Sequence, residues 1–147
     1  MGILNECKLT PSIGTSGQPS EDQFNEIAAQ GYQCVINLAM PNHEKSLANE
    51  GQIVTGLGMT YIHLPVPFDA PAKTHLDQFS AFMDALANRK VWVHCIVNAR
   101  VSAFMFCYLQ SHLGLSPEEA ATSLLRKWLP EMNSAWQSII RYAPAQL

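Results

Sequence analysis

The chain has 147 residues, 48% of them hydrophobic and 14% charged, with a formal net charge of −3. That length supports a hydrophobic core without disulfides or metals, and that balance excludes a disordered polymer. The mild acidity excludes the basic footprint of a nucleic-acid or anionic-membrane binder, so any bound anion must be drawn by a local feature. No apolar run approaches the ~18–20 residues of a membrane span. The first residues carry neither a basic segment nor an apolar signal core, so a cytoplasmic protein is expected. With no repeat and no low-complexity linker, residues 1–147 are read as one domain.

Ser20-Glu21-Asp22-Gln23 is a capping box. It opens a helix with Phe24, Ile27 and Ala28 on one face, closed by Gly31. Residues 32–38 form a short apolar run of strand type, and 43–57 a weaker helical segment that ends at Gly56 and Gly58. A second strand is expected over 60–64. Prolines at 65, 67 and 71 then forbid helix or central strand, which makes 65–71 a loop. Leu76, Phe79, Phe82, Met83 and Leu86 recur at helical spacing within 73–88. A strand follows at 91–95, then a helix at 101–113 that is apolar nearly all round and therefore central. Ser116-Pro117-Glu118-Glu119 starts another helix, and a last one spans 132–142. Strands alternating with helices imply an α/β fold with a mostly parallel sheet covered on both faces.

In such sheets ligands bind beyond the carboxyl ends of strands. Here that position is the segment His94-Cys95-Ile96-Val97-Asn98-Ala99-Arg100-Val101-Ser102. A tight turn between strand and helix directs its backbone N–H groups inward, and the helix N-terminus adds about half a positive charge. Such a nest holds phosphate or sulfate and favours the thiolate of Cys95, moving it towards the reactive-cysteine range of ~3.5–7.5. Arg100 adds a planar fork for a tetrahedral oxyanion. The other cysteines read differently. Cys34 and Cys107 fall in apolar patterns as small core residues, and Cys7 carries no clear assignment. His63 and His94 on strands read as interior residues, and His43, His75 and His112 as surface ones. Trp92, Trp128 and Trp136 read as packing residues. No metal or cofactor is called for.

These motifs resemble the dual-specificity branch of the cysteine (protein-tyrosine) phosphatases, and most of all small bacterial protein-tyrosine-phosphatase-like proteins. The resemblance covers roughly 9–128, through Ser16-Gly17-Gln18-Pro19-Ser20, Val35-Ile36-Asn37-Leu38, the proline-flanked Asp69, and His94-Cys95. It implies a single-domain phosphatase-like α/β fold of four to five strands and a cysteinyl-phosphate mechanism on a phosphorylated protein or small molecule. Cys95 would be the nucleophile and Asp69 the general acid and then base. Ser102 would hydrogen-bond the departing thiolate. Ile96, Val97, Asn98, Ala99, Arg100 and Val101 would cradle the phosphate, and His94 would hold the loop from behind. Asp69 precedes Cys95 by 26 residues, at the carboxyl end of the neighbouring predicted strand. Its competing role is a turn aspartate capping the next helix.

One position departs from the family pattern. Arginine normally follows the cysteine after five residues. Here Arg100 follows after four, and Val101 stands in its place. Ser102 keeps its offset, and Asn98 replaces the usual glycine, being the residue that best tolerates a left-handed backbone. The loop length is therefore preserved while the arginine has moved by about 100° around the helix. Two further readings follow. The four-residue spacing is that of rhodanese-type sulfurtransferases, with a persulfide on Cys95. A loop without catalysis would be a phosphate-binding pseudo-phosphatase.

Overall fold

In the computed structural model, which describes residues 1–147, β1 (Cys7–Thr10) and β2 (Ile13–Ser16) come first. They are followed by α1 (Glu21–Ala29), β3 (Cys34–Asn37), α2 (Glu50–Gly56), β4 (Thr60–His63), α3 (Lys73–Ala85) and β5 (Val91–His94). Then come α4 (Ala99–Leu113), α5 (Pro117–Ala120), α6 (Ser123–Trp128), a 3₁₀ turn at Leu129–Glu131 and α7 (Ser134–Ile140). The five strands form one sheet in the order β1-β2-β5-β3-β4. Only the β1–β2 pair is antiparallel, and the other three pairs are parallel.

Period-two alternation sorts the strand side chains into two packed faces. Val35 and Trp92 join Phe24, Ile27 and Val54 of α1 and α2 in the smaller cluster. Cys34, Ile36, Val91 and Val93 face the larger one, built by α3, α4 and α7 with Phe79, Phe104, Phe106 and Trp136. Helices therefore cover both faces, as the apolar strands require. Because β5 lies between β2 and β3, Ser16, His94 and Asn37 share one register line at the carboxyl ends. The loops that leave this line gather over β5.

Several expectations change in detail. The β1–β2 hairpin has no clear sequence signal, since Ile13-Gly14-Thr15-Ser16 mixes glycine with small polar residues. Gly14 is required there: a Cβ would lie 2.4 Å from the Trp92 ring. The helix expected over 43–57 is confined to α2, and 41–48 is mostly turn. The segment after Ser116 splits at Ala121, whose extended backbone ends α5, and Thr122 caps α6 by accepting from Leu125 N–H. No helix is long and apolar enough to cross a membrane.

Candidate active site

Strand alternation sends His94 under α1 and α2 and sends Cys95 the other way, into the larger cluster. Cys95 has no exposed surface. Beyond it the chain turns through Asn98, a left-handed residue (φ 71°, ψ 12°), and enters α4 at Ala99. Asn98 secures the turn with its side-chain amide, which donates to the Asn5 carbonyl at 2.8 Å and to Thr15 Oγ1 at 3.1 Å. On the other flank Gly17 lies against the loop, and a Cβ there would meet the Ile96 carbonyl at 2.4 Å. That carbonyl accepts from Gln18 N–H at 3.0 Å. The backbone N–H groups of Ile96, Val97, Asn98, Ala99, Arg100 and Val101 donate to no acceptor in the chain. A left-handed residue followed by a helix start is the geometry of an anion nest, and α4 adds the positive end of its dipole.

Arg100 is almost fully buried. Its Nη1 donates to the Val66 carbonyl at 2.9 Å, and the guanidinium carbon lies 5.9 Å from the centre of the Phe68 ring. It pairs with no carboxylate. One edge of Arg100 lines an open depression of about 450 Å³, together with Met40, Asn42, His43, Phe68, Ile96 and Val97. Val101 is buried among the core residues. Ser102 is also buried, and its hydroxyl has no hydrogen-bond partner.

Asp69 is exposed, follows Phe68 of this lining in the chain, and makes no hydrogen bond or ion pair. It does not cap α3, where His75 Nδ1 accepts from Ala72 N–H instead. Its strand, β4, is separated from β5 by β3, which corrects the expected adjacency. The loop crosses that gap on main-chain bonds, Leu64 N–H to the Asn37 carbonyl and Val66 N–H to the Leu38 carbonyl. Beyond them it is tethered by Arg100 and by Trp136, whose Nε1 donates to the Phe68 carbonyl at 2.6 Å. Trp128 stacks on Phe68 at 5.8 Å. Two tryptophans assigned to packing therefore also shape this loop. His63 is exposed rather than interior and bonds the Ala39 carbonyl.

A family model described as a DSP-PTPase phosphatase of polymorphic toxin systems matches residues 12–113. The chain belongs to the DSP-PTPase phosphatase family. No curated protein matches it. Among solved structures, it is similar to a Shewanella putrefaciens protein described as a phosphatase of the DUF442 group. That pair is 30% identical over 95% of this chain and 88% of the other, with a TM-score of 0.85. The fold is shared by the core catalytic domain of a PP-IP phosphatase from S. cerevisiae, solved with citrate (14% identity, 96% and 86% covered, TM-score 0.75). It is also shared by P. aeruginosa TpbA, solved with phosphotyrosine (16% identity, 97% and 82% covered, TM-score 0.66).

The other thiols of this phosphatase-family chain are Cys7, Cys34 and Cys107. Desolvation pushes Cys107 up to about 12 and also raises Cys7 and Cys34. Sequence reasoning missed Glu50, which lies against His94 in the interior. Its one local signal is its place in the first turn of a short helix, where acidic residues are generally favoured.

Proposed function

We propose that the chain is a cysteine-dependent phosphomonoesterase. The observation that carries this reading is the run of six unpaired N–H groups, 96–101, that begins directly after Cys95. Those amides would hold the three non-bridging oxygens of a phosphoryl group. The Cys95 thiolate attacks phosphorus, the P–O ester bond breaks, and the leaving oxygen takes a proton from Asp69. Water then attacks the cysteinyl-phosphate and yields its proton to the Asp69 carboxylate. The P–S bond breaks, and the thiolate leaves with the Ser102 hydroxyl as its hydrogen-bond donor. The unpartnered state of that hydroxyl supports this role, since its acceptor forms only as the thiolate does. Arg100 contributes through the edge it presents to the depression, while Nη1 holds the loop of the acid. His94 holds the Cys95 carbonyl from behind. The substrate is a phosphorylated protein or small molecule bound across Phe68, His43 and Val97.

Steady-state turnover of an aryl phosphate tests the reading. Wild type turns over, Cys95→Ser is inactive, and Asp69→Asn loses about 10²–10⁴-fold in kcat. If wild type and Cys95→Ser are equally inactive while both bind vanadate, the loop is a binding module. Cyanide-dependent sulfur transfer from thiosulfate, with a persulfide mass on Cys95, would instead favour sulfurtransferase chemistry.

A further inference from the structure

His94 has no exposed surface, and Glu50 is 3% exposed. Glu50 Oε2 lies 2.7 Å from His94 Nε2, and His94 Nδ1 lies 3.0 Å from the Cys95 carbonyl. A carbonyl only accepts, so Nδ1 must carry hydrogen. One more proton is shared between Nε2 and Oε2, and its position decides the charge of the ring. Gln18 Nε2 donates to the other Glu50 oxygen at 2.7 Å. The Tyr61 oxygen accepts from Asn37 Nδ2, which leaves its O–H for Glu50. Both donors favour the carboxylate and therefore the imidazolium. Burial pushes Glu50 upward, but hydrogen bonding and charge from His94, with the bonds from Gln18 and Tyr61, outweigh it and leave Glu50 lowered. The titratable groups facing Glu50 are His94 from β5 and Tyr61 from β4. The Phe24 ring, edge-on to His94 at 5.8 Å, seals the pair from water.

We propose that Glu50 is a positioning residue for Cys95: through a 2.7 Å bond it keeps His94 a buried imidazolium, which grips the Cys95 carbonyl. The order Cys95–His94–Glu50 turns the positive end of the pair towards the anion-binding loop. Val101 supplies no charge there, and Nη1 of Arg100 is committed to the Val66 carbonyl. The inference rests on the reading of Cys95 as nucleophile. It adds a residue 44 positions before His94 that sets the field behind Cys95.

Two measurements on the folded protein decide it, and neither uses a substrate. The ¹⁵N shifts of the His94 ring in wild type are read at neutral pH, where an ordinary exposed histidine is mostly neutral. A doubly protonated ring is expected, and a neutral tautomer there overturns the proposal. Thiolate ultraviolet absorbance is titrated for wild type and Glu50→Gln, each corrected by its Cys95→Ser counterpart. A glutamine cannot take the shared proton's charge, so the midpoint of the Cys95 signal moves upward by about one pH unit. An unchanged midpoint in folded Glu50→Gln overturns the proposal. If that variant does not fold, the ring measurement decides alone. Absence of aryl phosphate turnover in wild type would defeat the phosphatase reading and leave both results standing.

Discussion

Asn98 does two jobs at one position, and substitutions can separate them. Its left-handed backbone is tolerable because asparagine pays less than other side chains for positive φ, and its amide ties the loop to Asn5 and Thr15. Asn98→Gly keeps the backbone and loses the ties, whereas Asn98→Ala loses both. Alanine is therefore expected to be the less stable by about 1 kcal/mol in chemical denaturation. Val101 shows how burial changes the meaning of a motif. From the sequence, an arginine restored at 101 looks like a repair. In the structure the side chain lies fully inside the core, where an unpaired guanidinium costs several kcal/mol. Val101→Arg, alone or with Arg100→Ala, is expected to destabilise the fold and not to raise aryl phosphate turnover, checked by denaturation and steady-state kinetics together.

The loop over 65–71 is legible as a loop because three prolines allow nothing else. Its tethers are not legible, since the donors lie 34 and 68 residues away on α4 and α7. They fix where Asp69 stands relative to Cys95, and displacement by about 1 Å can cost up to ~10² in rate. Trp136→Phe keeps an aromatic ring in the cluster and removes the bond to the Phe68 carbonyl. It is expected to lower kcat on the order of 10-fold with little change in KM, and to cost about 1 kcal/mol of stability. A loss of vanadate affinity in Trp136→Phe would contradict this assignment, because the amide nest lies on a different segment. The helices show the same division. The capping boxes at Ser20 and Ser116 form as their spacing predicts, because a cap is a bond across three residues. The break at Ala121 is less legible, since its one local signal is the capping residue Thr122, and a threonine is also found inside helices.

At the scale of the molecule, the Glu50–His94 pair links the interior to pH. A carboxylate lowered in the folded state from its ordinary 4.5 contributes stability above that value and loses it as pH falls through the folded one. The melting temperature of wild type should therefore fall on acidification below about 4.5 more steeply than that of Glu50→Gln. Thermal unfolding of both proteins across that range checks the sign: parallel curves would mean that the carboxylate does not carry the effect.

What the sequence by itself determined is local: strand and helix periods, caps, the turn at Asn98, and a cysteine poised between a strand and a central helix. These follow from dihedral preferences and bonds spanning a few residues, which act in any context. Only the tertiary structure decided that β5 is inserted between β2 and β3, which sends the Asp69 loop across an intervening strand. The same packing turned Arg100 to the Val66 carbonyl and brought Glu50 beneath His94. Partners at such separations are chosen by strand order and by which face of the sheet each side chain occupies. A one-residue change of phase would have reversed them all.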